Sequence, residues 1–182
     1  MSRKVGSDRM MYMEIAVLPK SSLRIKGKQA VIIVNPSGKH EENASIVTRA
    51  GVQSKFSPKD GVVIASPGEY EVAGLKIRGS QVEGFVVYSM SVDSVEVLFG
   101  TLSAFEKSHS RLQEHDVVLV DVDKVVDPSF LTSLSAHAIL FTGEMAKEVV
   151  DSFVKESTTQ LPKFVSTKEK LSQEVETILL SV

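Results

Sequence analysis

The chain is divided into short runs of Val, Ile and Leu, and this punctuation constrains its fold more than any other feature. Residues 15–18, 23–25, 30–34, 61–65, 75–78, 84–89, 94–99 and 117–120 are each about strand length. Gly, Pro, Asn, Asp or Ser bounds each of them, as strand punctuation requires. Lys26-Gly27-Lys28 between two of them predicts a hairpin turn. Val95 and Val97 alternate with Ser94 and Glu96, the pattern of a strand with one solvated face. The run 117–120 is apolar throughout, as a strand buried on both faces must be.

Helical signals gather in the second half. Asp127-Pro128 offers a capping carboxylate followed by proline, predicting a helix through Phe130 and Leu131 to Leu134. After Gly143, Val149, Val150, Phe153 and Val154 form an apolar stripe at helical spacing. Thr167 is expected to cap a last helix with Leu171, Val175, Ile178 and Leu179 on one face. Residues 138–141 read as a further strand, so the second half predicts strand–helix alternation.

Length and composition bound the alternatives. A chain of 182 residues, 42% hydrophobic and 24% charged, can build one core. One domain is expected over 13–182, after a flexible tail over 1–12. The net charge of −2 offers no basic excess to displace counterions, so nucleic acid is not expected as a partner. The absence of cysteine excludes disulfides, thiolate catalysis and Cys-ligated zinc, and suits a reducing interior. No apolar run approaches the ~20 residues needed to span a bilayer. Arg3, Lys4 and Arg9 are not followed by the apolar region of a signal peptide. The expectation is a cytoplasmic protein with no membrane partner.

Two segments carry a family resemblance. MEIAVLPKSSLRIKGKQAVIIVNP, residues 13–36, resembles the opening of metallo-β-lactamase-fold hydrolases: strand, turn, strand, hairpin, and a third strand ending in Asp-Pro, here Asn35-Pro36. SPGEYEVAGLKIRG, residues 66–79, resembles a Pro-Gly-Glu-Tyr-Glu-Val-x-Gly segment of small bacterial and archaeal proteins with this fold, and is the more specific of the two. The resemblance extends through Leu98-Phe99-Gly100 and the strand from Asp116, covering about 13–143. It implies an α/β (α+β) chain folded as an αββα sandwich of two mixed sheets with outer helices, reduced in size.

The same resemblance places the metal ligands, and they are missing. In catalytic members a His-x-His-x-Asp-His motif follows a strand ending in Thr. Here Ile46-Val47-Thr48 fits the strand end, and the ligand positions hold Arg49, Gly51, Gln53 and Ser54. The bridging aspartate of the later strand is replaced by Thr101, and the last histidine falls near Thr142 and Gly143. Zinc needs several nitrogen, thiolate or carboxylate donors converging on one point. Arginine instead puts a fixed positive charge there. The resemblance therefore implies a degenerate member with no metal, cofactor or catalytic residue.

Other candidates read more simply. His40, His109, His115 and His137 show no helical ligand spacing, and His115 and Asp116 would point to opposite faces of a strand. Asp121, Asp123 and Asp127 lack the glycine and closing glutamate of a calcium loop. Asp121 is kept as a weak site candidate because it ends a parallel strand, where α/β proteins place ligands. Pro67, Gly68, Glu69, Tyr70 and Gly74 read as a structural loop, with Tyr70 and Val72 packed to one side and Glu69, Tyr70 and Glu71 as the competing acid–base reading. Tyr70 is expected to be a large buried aromatic, so that Tyr70→Ala costs roughly 3–5 kcal/mol. No Gly-x-Ser-x-Gly elbow, Walker motif or dinucleotide motif occurs.

Two functional classes follow. The first is a non-catalytic binding or scaffold module, with an unidentified protein partner and self-association both open. The second is a metal-dependent hydrolase whose site uses other residues.

Overall fold

The structure, a computed structural model, describes residues 12–39, 41–48, 61–154 and 158–181. Almost all of the expected tail, His40, and the positions Arg49, Gly51, Gln53 and Ser54 lie outside these residues.

The apolar runs become strands of two mixed sheets. The six-stranded sheet holds β1 (Met13–Val17), β2 (Leu23–Lys26), β3 (Val31–Val34), β4 (Ala44–Ile46) and β5 (Val62–Ile64), with β13 (Lys163–Ser166) closing it beside β1. The predicted turn joins β2 to β3, with the Gly27 N–H donating to the Ala30 carbonyl. The eight-stranded sheet holds the meander β6 (Gly68–Val72), β7 (Leu75–Val82), β8 (Phe85–Val92) and β9 (Val95–Thr101). It continues through the parallel strands β10 (Val117–Asp121), β11 (Ala138–Thr142), β14 (Glu176–Leu180) and β12 (Thr159–Leu161).

Alternation along the strands builds the main core. Ile15, Ile25, Ile32, Ile46 and Ile64 of the first sheet face Ile77, Tyr88, Met90, Phe99, Leu119 and Leu140 of the second, all buried. The other face of the second sheet carries Val87, Leu98, Val118, Val120 and Phe141. They are covered by α1 (Leu102–Ser108), a 3₁₀ helix over Ser129–Leu134, and α2 (Ala146–Phe153). β10 is thus buried from both sides, which is why its sequence is continuously apolar. The described α-helices belong to this layer. The expected start is shifted by one residue: Pro128, not Asp127, is the cap of a helix that begins at Ser129 and is 3₁₀, and Asp127 Oδ1 accepts from Ser129 N–H at 2.9 Å from the position before the cap.

Two expectations are corrected. The final helix is a strand. Thr167 precedes a 3₁₀ turn over Lys168–Lys170, and β14 then pairs in parallel with β11. Ile178, Leu179 and Leu180 are all buried, filling both faces of a central strand, while Val175 is 48% exposed. The backbone groups along β11 require a ladder partner, and a short apolar run satisfies that need as well as it fits a helix. The loop expected at Pro67–Gly74 is mostly strand β6, at the edge of the large sheet, followed by a turn with Ala73 and Gly74 both at positive φ.

Tyr70 and Val72 do pack toward the main core. Tyr70, however, is only half-buried, and its hydroxyl donates to the Ser66 carbonyl at 2.8 Å. Tyr70→Ala is therefore expected to cost about 1–2 kcal/mol, below the range for a fully buried aromatic. Chemical denaturation measures this, and a cost at the full-burial level would show that the edge strand is packed more tightly than this.

On the outer face of the six-stranded sheet, Glu14 is buried beneath Arg24 (2.6 Å) and Lys163 (3.4 Å). Burial raises its pKa, but the hydrogen bonds and charges of Arg24 and Lys163 outweigh that and hold it below the ordinary value of 4.5. The folded state thus binds this proton less readily than the unfolded chain. Glu14 stabilises the fold above the ordinary range, and that contribution is lost as pH falls through the depressed value. Melting temperatures of the wild type and Glu14→Gln are expected to differ at neutral pH and converge in acid. A difference that does not vary with pH would exclude this account.

Candidate functional site

Three parallel strands end side by side. β9, β10 and β11 run in register, so that Thr101 lies opposite Asp121 and Asp121 opposite Thr142. The six-stranded sheet reaches the same end through the residues after β4. The Thr48 carbonyl accepts from Val86 N–H (3.1 Å), and the Val47 carbonyl from the Tyr88 hydroxyl (3.1 Å). Tyr88 pairs with Phe99, which places Val86 beside the end of β9 and brings Thr48 toward Thr101. This is the end of an open sheet where ligands commonly sit.

The side chains gathered there are mostly engaged in holding the backbone. Thr101 Oγ1 accepts from Ala104 N–H (3.2 Å) and caps α1. Thr48 donates to Asn35 Oδ1 through both N–H and Oγ1 (3.2 Å each). Asp123 accepts from Ser103 N–H at 3.0 Å, tying the loop after β10 to the start of α1. Thr48, Thr101 and Thr142 are buried and Asp121 is half-buried. Gly143 has φ of +101°, and a Cβ there would come within 2.8 Å of Asp121 Oδ1, so glycine is what lets the chain pass the carboxylate.

The structure separates the other candidates. Asp127 accepts from Ser129 N–H at the start of its own 3₁₀ helix, whereas Asp123 accepts from Ser103 N–H at the start of α1. The Nδ1–H of His115 donates to Gln113 O (2.8 Å) and that of His137 to Ser172 O (2.7 Å), while His109 faces the Phe105 and Glu106 carbonyls and the Phe130 ring. Glu69 lies 3.9 Å from Arg78, with both side chains well exposed. Among the described residues no group of three or more His, Asp or Glu is arranged to hold a metal ion. Among the described residues, threonine hydroxyls with Asp121 and Asp123 do not fit a hydrolytic zinc centre, which requires stronger donors. Sequence reasoning missed Tyr88, whose signal was the one polar-tipped aromatic in the apolar stretch that starts at Phe85. Its phenol pKa is pushed far up by burial, with a smaller contribution from Tyr70.

The two mixed sheets and the helix layer on the larger of them make up the metallo-β-lactamase fold. A protein of Thermotoga maritima described as a Zn-dependent hydrolase of the metallo-β-lactamase superfamily superposes with a TM-score of 0.71 at 18% identity, covering 93% of this chain and all of that one. A protein of Parabacteroides distasonis described as a metal-dependent hydrolase gives 0.59 at 11% identity, with 94% of each chain covered. A diphosphatase of the PhnP family gives 0.52 at 11% identity, covering 95% of this chain and 96% of that one. At these identities the likeness establishes the fold. No family model and no curated protein matches the sequence.

Proposed function

We propose that this chain is a non-catalytic protein of metallo-β-lactamase fold, acting as a binding or scaffold module with residues 13–182 as its single domain. The observation that carries the reading is Thr101. It stands where the resemblance expects a metal-bridging aspartate, and its hydroxyl caps α1. The register of the resemblance adds Arg49, Gly51, Gln53 and Ser54 at the histidine and aspartate positions. Fold does not carry function without the site. A cytoplasmic location and a protein partner, including a second copy of the chain, belong to this proposal. Among the described residues no helix is long and apolar enough to cross a membrane.

A second reading, a hydrolase with a non-standard site, is favoured by Asp121 alone, a carboxylate between two hydroxyl-bearing strand ends. Elemental analysis of purified protein separates the two. The expected result is no stoichiometric zinc, manganese or iron, no thermal stabilisation by those ions, and no hydrolysis of β-lactam, thioester or phosphodiester substrates. One equivalent of tightly held metal, lost on chelation together with a hydrolytic activity, would overturn the first reading.

A further inference from the structure

The helix layer leaves part of the large sheet's outer face uncovered. Arg78 pairs with Ser89, and Ser89 with Leu98, so all three lie on the face that carries the helix-side core. After α1 the chain makes a 3₁₀ turn over His109–Arg111, and Leu112 packs against that core. Between this segment and the sheet is a bay of about 240 Å³ lined by Arg78, Ser80, Ser89, Arg111, Gln113 and His115, over a floor of Val87, Leu98 and Leu112.

The chemistry of this bay is one-sided. It presents two guanidinium groups, an imidazole, two hydroxyls and an amide, and among the described residues no carboxylate lines it. Arg78 meets Glu69 only at 3.9 Å with both ends exposed, a weak pairing in water. Glu83 lies within the field of Arg111 but takes its hydrogen bond from Lys107. His115 gives its Nδ1–H to Gln113 O, so in the neutral ring Nε2 is an acceptor and the two arginines carry the anion-binding chemistry of the bay. A second bay of about 550 Å³ adjoins the first, sharing Arg78 and Ser89, and is lined by Glu69, Glu71, Glu96 and Lys76.

We propose that the first bay binds the phosphate of a small phosphomonoester whose hydroxyl- or amine-bearing body lies in the second. Guanidinium forks match a tetrahedral oxyanion bidentately, and two arginines with serine hydroxyls satisfy several phosphate oxygens at once. The smaller bay is below the usual ~300–1,000 Å³ of a whole-ligand pocket and suits a single charged group. The carboxylates of the larger bay accept from hydroxyls and amines and repel further negative charge. Net charge of −2 argues against a polyanion and for a single small ligand. The site lies on the sheet face rather than at the strand ends, so it stands whether or not the chain is catalytic.

Titration of the full chain with inorganic phosphate, ribose 5-phosphate and ribose, followed by calorimetry and by the His115 ring resonances, tests this. Ribose 5-phosphate is expected to bind more tightly than phosphate, with both moving the His115 resonances and ribose moving neither signal. Arg78→Gln and Arg111→Gln, at exposed positions where folding is unaffected, should each weaken binding by about tenfold or more. Lys147→Gln on α2, a control outside both bays, should leave it unchanged. Unmoved His115 resonances at millimolar phosphate, or equal affinity in Arg111→Gln and Lys147→Gln, would overturn the assignment of the phosphate to this bay. Equal affinity for phosphate and ribose 5-phosphate would overturn that of the body to the second.

Discussion

Tyr88→Ala is expected to cost roughly 3–5 kcal/mol of unfolding free energy, the range for truncating a fully buried aromatic. Tyr88 has no exposed surface and lies in the layer between the sheets. It packs so close to Gly79 that a Cβ there would sit 3.0 Å from its ring. Its hydroxyl, on the large sheet, donates to the Val47 carbonyl that follows β4 on the other sheet. Tyr88→Phe separates the two contributions. The ring remains, but a buried carbonyl loses its donor, at a cost of about 1–3 kcal/mol. Equilibrium denaturation of both variants distinguishes the outcomes. If Tyr88→Phe matches the wild type, the hydroxyl does not help hold the sheets together, and the strand-end region is less firmly seated than described.

The second large effect is expected at the opposite end of the parallel strands. Asp116 is buried and accepts from Glu96 N–H (2.8 Å) and from Lys168 Nζ with both carboxylate oxygens (2.5 and 2.6 Å). Its own carbonyl receives the N–H groups of His137 and Ala138. It thereby ties the starts of β9, β10 and β11 to the turn before β14. Asp116→Ala is expected to cost about 1.5–3 kcal/mol, the range for hydrogen bonds to a charged group. The larger penalty of a stranded buried charge does not apply, because Lys168 is half-exposed and can turn to water. Asp116→Asn keeps an acceptor for Glu96 N–H and should recover part of the loss. Amide exchange at Glu96 gives a local readout; protection unchanged in Asp116→Ala would mean that the carboxylate does not anchor this corner.

Sequence made the strands legible where burial was one-sided or complete. Val95 and Val97 alternate with exposed neighbours, and Val117 to Val120 had no polar residue to accommodate. It failed at β14, where Leu171, Val175 and Ile178 happen to fall at helical spacing although the partner, β11, was already an open parallel edge. Parallel pairing is a property of distant segments and leaves little mark within one of them. The same limit hid the Asp116–Lys168 pair, 52 residues apart in sequence. At the candidate site, the identities of Thr101, Thr142 and Gly143 are plain in the sequence, and only the family resemblance set them at one strand end. That Thr101 acts as a helix cap, and that Asp121 stands between two threonines, depended on strand register that no local pattern supplies.

The pairing of β13 with β1 has a consequence for synthesis. Met13 meets Ser166 and Ala16 meets Lys163, so nearly the whole chain separates the two strands that close the smaller sheet. The meander β6–β9 needs only neighbouring residues and is expected to assemble early, whereas closure of a loop this long comes late. While the ribosome is still making residues 163–166, β1 is an unpaired edge, open to partners such as chaperones or other nascent chains. Once the C-terminal region emerges it occupies that edge, and Lys163 then joins Arg24 over Glu14. Premature termination before this point would leave a chain holding most of its core residues and a permanently adhesive strand.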